Sequence, residues 1–199
     1  SDFLHGGSIL INQKGERPIE HNEVPPGTPS WGKEFKQQSL KYFNRHLRIY
    51  TYGACLPNVN NYLDLDPTYK DIYGYPLLRM TFDYSDSDRK RGKFLNEKTR
   101  KIMQEMGATH VSEDEDMEHY SNTKYKATHN TGGVIMGSDP ETSAVNSYLQ
   151  MWEAENCFVV GGSAYAHQSG YNATATLGAL AYRAAEGIIE YSKKGGSLV

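Results

Sequence analysis

Hydrophobic and polar positions predict regular elements only after an irregular start. Residues 1–30 are rich in Gly, Pro and polar residues and run into the stretch "VPPGTPSWG", so we expect an irregular, extended segment. The next stretch, "GKEFKQQSLKYFNRHL", predicts a helix, since its hydrophobic residues recur roughly on one face: Phe35, Leu40, Phe43 and Leu47.

Three segments that follow have the alternation and aromatic content of strands: "RIYTYGACLP", "NYLDLDP" and "PLLRMTFDY". In the second, Tyr62, Asp64 and Asp66 alternate with Leu63 and Leu65, which predicts a strand with one wet face. Together with the flanking helices, these segments predict a mostly antiparallel sheet.

A long predicted helix follows the predicted sheet, and after it the composition of the chain changes. The helix begins at Ser85 or Asp86, both of which are good caps, and "ATHVSEDE" predicts a short strand after it. Beyond about residue 120 the chain is rich in loops and glycines. The stretch "NCFVVGGSAYAHQSGYNATATLGALAYRAA" then predicts a buried strand, a glycine turn, a loop and a helix. This unit is typical of nucleotide-binding α/β domains, so we predict a mixed α+β and α/β fold.

Composition excludes several classes of function. The 21 Lys and Arg residues and 24 Asp and Glu residues give a net charge of −3, which disfavours binding to nucleic acid or to an anionic membrane. The sequence contains no apolar run of about 18 residues, so no transmembrane helix is predicted. The start of the chain does not resemble a signal peptide and lacks Met, so the compartment stays open between cytoplasmic and periplasmic or membrane-peripheral. Cys55 and Cys157 allow one disulfide at most.

The loop "THNTGGVIMG" carries the first candidate for chemistry. His129 is followed by Gly132, Gly133 and Gly137, and glycines let the backbone turn sharply and approach a ligand. Imidazole groups change protonation near neutral pH, so His129 is a candidate general base. An exposed loop histidine without a catalytic role is the alternative.

The predicted strand "CFVV" ends in Gly161, Gly162 and Ser163, where an α/β sheet usually meets its ligand. A serine hydrolase is disfavoured there, because Tyr165 stands where a nucleophile elbow requires its second glycine.

Asn172 precedes the final helix and has three interpretations. It is placed to cap that helix; Asn172-Ala173-Thr174 matches a glycosylation sequon; or it contacts a ligand beside the free N–H groups of the helix start.

No metal site is predicted. The acidic run "SEDEDMEH" lacks the spacing and the glycine of a calcium loop, and a solvated acidic loop is the better interpretation. His110 and His119 lack the short spacing of a metal-binding pair.

Taken in order, these motifs resemble the C-terminal part of glucose–methanol–choline (GMC) flavoprotein oxidoreductases. The resemblance rests on His129, a glycine pair, Met136-Gly137, Asp139-Pro140, a strand ending at Ser163, and Asn172 before the last helix. "HNTGGVIMGSDPETSAVN" and "GYNATATLGALAYRAA" are similar to the flavoprotein subunits of gluconate and sorbitol dehydrogenases. Two features depart from the pattern: Ala173 replaces a common proline, and no G-x-G-x-x-G turn for the FAD pyrophosphate occurs.

The resemblance implies two domains and a set of roles. Residues 1–145 would form the substrate-binding domain, and residues 146–199 would return a strand and helix to a Rossmann-like FAD domain. His129 would act as general base on a CH–OH substrate, a sugar acid or polyol, while Asn172 holds the substrate oxygen. FAD would be contacted by residues at the glycine turn and the helix start: Gly162, Ser163, Asn172, Ala173 and Thr174. A small subunit and a cytochrome or quinone acceptor are implied partners.

Three alternatives stay open. His167 precedes the same helix and could replace His129 as the base. Because the FAD pyrophosphate turn is missing, the chain is expected to be inactive by itself; the alternative to an enzyme part is a non-catalytic fragment or remnant that binds a small polyol or a partner without holding FAD. A glycan on Asn172 would instead indicate a secreted glycoprotein.

Overall fold

The computed structural model describes residues 2–13, 23–113, 118–121, 123 and 129–198. The chain divides into two compact units: the first comprises Ser1–Gly53 and Asp86–Glu118, and the second comprises Ala54–Ser85 and His119–Val199. This division does not coincide with the predicted domain boundary at residue 145. The assignment of residues 1–145 to substrate binding and of residues 146–199 to an FAD domain stays a prediction.

The first unit contains a two-stranded antiparallel sheet and two helices. Strand β1 (Gly7–Asn12) pairs with β2 (Arg48–Gly53), and the helices are α1 (Gly32–Tyr42) and α2 (Asp86–Glu105). The prediction that residues 1–30 are wholly irregular was wrong at β1. Its short apolar run is ordered by pairing with a strand some forty residues later, which local composition does not reveal.

The second unit contains a hairpin, one short turn of 3₁₀ helix and a long helix. Strand β3 (Tyr62–Lys70) pairs antiparallel with β4 (Pro76–Thr81), as the alternating pattern predicted. The 3₁₀ turn spans Gly162–Ala164, and α3 spans Thr174–Lys194.

The core of the second unit lies in the irregular segment 131–173 and against α3. Its fully buried hydrophobic members are Val145, Leu149, Ala164 and Ala184. Helix α3 approaches this segment closely at Gly187, where a side chain would lie 3.0 Å from the Tyr148 Cβ. The absence of a side chain at Gly187 therefore lets the helix lie directly over the segment.

Two predicted strands are not formed. Residues 108–113 have no strand structure, whereas the end of the predicted segment "ATHVSEDE" falls outside the described residues. The segment 157–160 makes only an isolated bridge between Phe158 and Gln150. The structure is thus a mixed α/β arrangement with small antiparallel sheets, and a Rossmann-like layer is not confirmed. Among the residues described, none of the helices has the length and apolar character needed to cross a membrane.

Candidate functional site

The two glycine-containing motifs of the sequence lie side by side. Three backbone hydrogen bonds join them: Gly132 N–H to Gly162 O (2.9 Å), Val134 N–H to Ser163 O (3.0 Å) and Met136 N–H to Ala164 O (2.9 Å). The loop that begins at His129 therefore runs along the 3₁₀ turn. The structure brings together two motifs that are about thirty residues apart in the sequence.

Glycine is required at this contact for two different reasons. A side chain at Gly162 would lie only 3.0 Å from the Asn130 carbonyl oxygen, so the close approach depends on its absence. Gly161 has φ of +134° and Gly133 has φ of +101°, values that residues with side chains rarely adopt. At Gly133 a side chain would also meet Leu63 of β3 at 2.9 Å, so the hairpin lies against the same loop.

Helix α3 starts without a side-chain cap. Thr174 is its first residue, Ala173 occupies the N-cap position with helical φ and ψ, and no side chain caps the helix. The interpretation of Asn172 as the N-cap is therefore corrected: Asn172 lies one residue too early and is exposed. Because the first backbone N–H groups of a helix lack intrahelical acceptors, this start can donate to an electron-rich ligand group.

A buried tyrosine connects the helix start to the glycine turn. The Tyr165 hydroxyl donates to the Ala173 carbonyl oxygen at 2.9 Å, and the Tyr165 backbone N–H donates to Gly162 O at 3.2 Å. The loop between them is held midway, where Cys55 and Gln168 exchange backbone hydrogen bonds of 2.8 and 3.0 Å. Sequence reasoning used Tyr165 only to exclude a nucleophile elbow and did not predict this contact.

The predicted site residues thus form two groups, and hydrogen bonds connect both groups to the glycine turn at Gly162. His129 begins a loop that lies against Gly162 and Ser163, whereas Asn172 precedes the uncapped start of α3. The side chains of His129 and Asn172 are both exposed. A direct pairing of the His129 imidazole with the Asn172 amide stays a prediction. His167, the alternative base, is also exposed and lies within the Tyr165–Ala173 loop.

Two buried amide side chains of the segment 131–173 bind the residues that follow the C-terminal end of α3. Gln150 accepts from Leu198 N–H (2.7 Å) and donates to the carbonyl oxygens of Gly196 (3.0 Å) and Glu155 (2.7 Å). Asn146 donates to Leu198 O (3.2 Å) and to Gln150 Oε1 (3.1 Å). The residues that follow α3 are therefore fixed to the same irregular segment that carries the site.

Trp152 adds a further contact inside that segment. Its indole N–H donates to Ser143 Oγ at 3.0 Å, and its backbone N–H donates to Ala144 O at 3.3 Å. A small open cavity beside it is lined by residues of this segment: Met136, Gly137, Ser138, Asn146, Ser147 and Trp152.

The most strongly perturbed carboxyl group of the second unit lies where the hairpin ends. His119 Nδ1 lies 2.8 Å from the Asp83 carboxylate, which also accepts the backbone N–H groups of Tyr120 (2.8 Å) and Tyr84 (2.9 Å). The hydrogen bond with His119, followed by these two backbone donors, holds the pKa of Asp83 far below its usual range. His119 therefore has a structural partner.

Comparison with known proteins gives one family for most of the chain. Residues 57–181 match a family model described as GMC oxidoreductase. The matched range includes the hairpin, the His129 loop, the glycine turn and the start of α3.

The chain is similar to several named oxidoreductases, three of which are dehydrogenases. The chain is 43% identical over 99% of its length to the gluconate 2-dehydrogenase flavoprotein of Pantoea cypripedii, of which it covers 32%. It is 32% identical over 82% of its length to the fructose dehydrogenase large subunit of Gluconobacter japonicus, covering 29% of that protein. It is 30% identical over 78% of its length to the 2-methyl-1,2-propanediol dehydrogenase of Mycolicibacterium austroafricanum, covering 27%. The chain thus spans about a third of the length of these relatives.

Proposed function

This chain belongs to the GMC oxidoreductase family, and we propose that it supplies the substrate-facing residues of a flavin-dependent dehydrogenase that oxidises a CH–OH group. The names of its relatives specify gluconate, fructose and a propanediol, all of which carry such a group. Since the identity to the gluconate enzyme is highest of these three, we propose a sugar acid or polyol as the substrate class.

One structural observation carries the proposal. The backbone pairing of Gly132 with Gly162 sets the His129 loop beside the glycine turn, and Tyr165 ties the start of α3 to that same turn. Backbone that is hydrogen-bonded to one glycine turn thereby carries an imidazole (His129), a carboxamide (Asn172) and the uncapped start of α3. Catalysis by proton removal requires such fixed positioning of the base relative to the substrate.

We assign distinct roles to the two polar side chains. The His129 imidazole accepts the proton of the substrate hydroxyl as the C–H bond is broken. The Asn172 amide donates a hydrogen bond to the substrate oxygen and so keeps the hydroxyl directed at His129. Both side chains are exposed, so a substrate can reach them.

The residues present fit FAD, the cofactor of this family. No atom lies within 4 Å of the place where a side chain at Gly161 would stand, so the backbone there admits a close ligand. The uncapped N–H groups of α3 suit an electron-rich group. FAD, when bound, supplies the hydride acceptor. Gly162 and Ser163 would contact its ribityl or phosphate region, and Ala173 and Thr174, with Asn172 alongside, would contact its flavin ring.

The proposal is tested by His129→Ala in the protein expressed from its complete gene. We expect turnover of gluconate to fall about a hundredfold or more, with bound flavin unchanged by absorbance, because a positioned base contributes about that factor. His167→Ala is the matched control and should keep turnover within about threefold of the unaltered protein. Near-normal turnover in His129→Ala with a large loss in His167→Ala would transfer the role to His167.

We also propose that the electrons leave to a partner subunit or a quinone. One relative is named a large subunit, which indicates assembly with other subunits in that protein. Copurification of the protein expressed from its complete gene with a smaller subunit or a cytochrome would support such a partner here.

A further inference from the structure

Tyr165 is the side chain that links the two groups of the candidate site. It is 9% exposed, and its hydroxyl donates to Ala173 O across an eight-residue separation. The same Ala173 oxygen accepts the backbone N–H of Leu177 at 3.0 Å, the first hydrogen bond of α3. The Tyr165 hydroxyl therefore binds the carbonyl oxygen that accepts the first hydrogen bond of α3. This oxygen belongs to Ala173, the residue directly after Asn172.

The backbone of Tyr165 is fixed on the side of the His129 loop. Its N–H donates to Gly162 O, and that same oxygen accepts Gly132 N–H at 2.9 Å. The backbone of Tyr165 is thus bonded to the turn that pairs with the His129 loop. Its hydroxyl is bonded to Ala173, the residue after Asn172. A phenol in a closely packed position has little rotational freedom, so it sets a fixed separation.

We propose that Tyr165 is a positioning residue that sets where Asn172 lies relative to His129. The inference rests on the proposed function, since it assigns Asn172 and His129 to the reaction. Tyr165 is not a catalytic residue, because its hydroxyl binds the backbone and is buried. Loss of the hydroxyl would leave the ring packed but release the Ala173 carbonyl, so that Asn172 shifts relative to the substrate. Displacements of about an ångström are enough to reduce turnover strongly.

The test is a double-mutant cycle of Tyr165→Phe and Asn172→Ala in the protein expressed from its complete gene. We expect Tyr165→Phe to lower kcat about tenfold with KM within about twofold and flavin content unchanged, since alignment in the transition state is what is lost. In the Asn172→Ala background the same change should have an effect of less than about twofold, because no amide is left to position. Tyr182→Phe, on a side chain of α3 that is 79% exposed, is the matched control and should leave kcat unchanged.

The possible outcomes separate this inference from the proposed function. Unchanged kinetics in Tyr165→Phe, or an equal tenfold loss in both backgrounds, would overturn the positioning role. Loss of flavin or failure to fold in Tyr165→Phe would also overturn it, since the tyrosine would then only support the structure. If Asn172→Ala alone keeps normal turnover, the role of Asn172 in the proposed function falls, and the tyrosine falls with it. A large loss in Asn172→Ala beside normal kinetics in Tyr165→Phe removes the tyrosine alone.

Discussion

The β3–β4 hairpin and the segment 131–173 belong to one compact unit but are ordered in different ways. The hairpin has regular cross-strand pairing, and no residue of either strand is buried. The segment 131–173 has one short 3₁₀ turn and isolated bridges, yet it contains fully buried residues such as Val145, Leu149 and Gln150. In this unit the regular strands of the hairpin are exposed or half-buried, and the fully buried side chains of the compared regions lie in the irregular segment.

The difference shows what fixes the candidate site. The segment 131–173 is held by side-chain amides that bind backbone groups and by glycines that allow close approach. Buried polar groups of this kind stabilise only when all their hydrogen bonds are made, so they specify one arrangement. Gly162, Ser163 and Asn172 of the candidate site lie on this segment, whose position is set by such contacts, whereas the hairpin is set by its own pairing.

The largest effect on stability is expected from Gln150→Ala. It would leave the backbone groups of Gly196 and Leu198 without the partner that Gln150 supplies, at a cost of about 3 kcal/mol in the free energy of unfolding. Chemical denaturation followed by circular dichroism measures this change. Gln104→Ala, at an exposed position of α2, is the control and should change stability by less than about 0.5 kcal/mol. A similar small change in both variants would show that the amide contacts do not order the segment.

A smaller, pH-dependent effect is expected from Asp83→Asn at the end of the hairpin. The pKa of Asp83 is lowered in the folded protein by His119 and two backbone donors, and the unfolded carboxyl has a pKa of about 3.9. Its stabilising contribution is therefore present above pH 4 and is lost as the pH falls through the lower, folded-state pKa.

Denaturation at a series of pH values checks this expectation. The difference between the unaltered chain and Asp83→Asn should be constant between about pH 5 and 6 and shrink below about pH 4. Asp2→Asn, an exposed position of the other unit, serves as control. A difference that grows on acidification would contradict the assigned cause.

The smallest effect is expected from Leu78→Thr in β4. This side chain is 69% exposed, so its replacement in the 199-residue chain should change the free energy of unfolding by less than about 0.5 kcal/mol. A loss above about 2 kcal/mol would show that the hairpin face is covered and would remove the contrast with the segment 131–173.

Prediction from sequence succeeded for the three helices and for three strands, whereas the strands predicted at 108–113 and 157–160 are not formed. The helices α1, α2 and α3 and the strands β2, β3 and β4 follow from hydrophobic periodicity and turn residues. Strand β1 was missed, because only its pairing with β2 orders that short apolar run.

The candidate site was predictable only in part. The motif residues His129, Gly162 and Asn172 could be named because their order resembles a family, and the family is confirmed. The contacts of Gln150 and Tyr165 could not be predicted, since glutamine is mostly exposed in folded proteins and tyrosine is only intermediate in burial. Their burial depends on backbone groups 48 residues away for Gln150 and eight residues away for Tyr165.

The hydrogen bond of Trp152 to Ser143 has a spectroscopic consequence. The chain has two tryptophans, and Trp31 of the first unit is 82% exposed. In the 199-residue chain, Trp31→Phe would leave Trp152, which lies in the segment 131–173, as the sole indole fluorophore. Its emission would then report on the surroundings of the Trp152–Ser143 hydrogen bond within that segment.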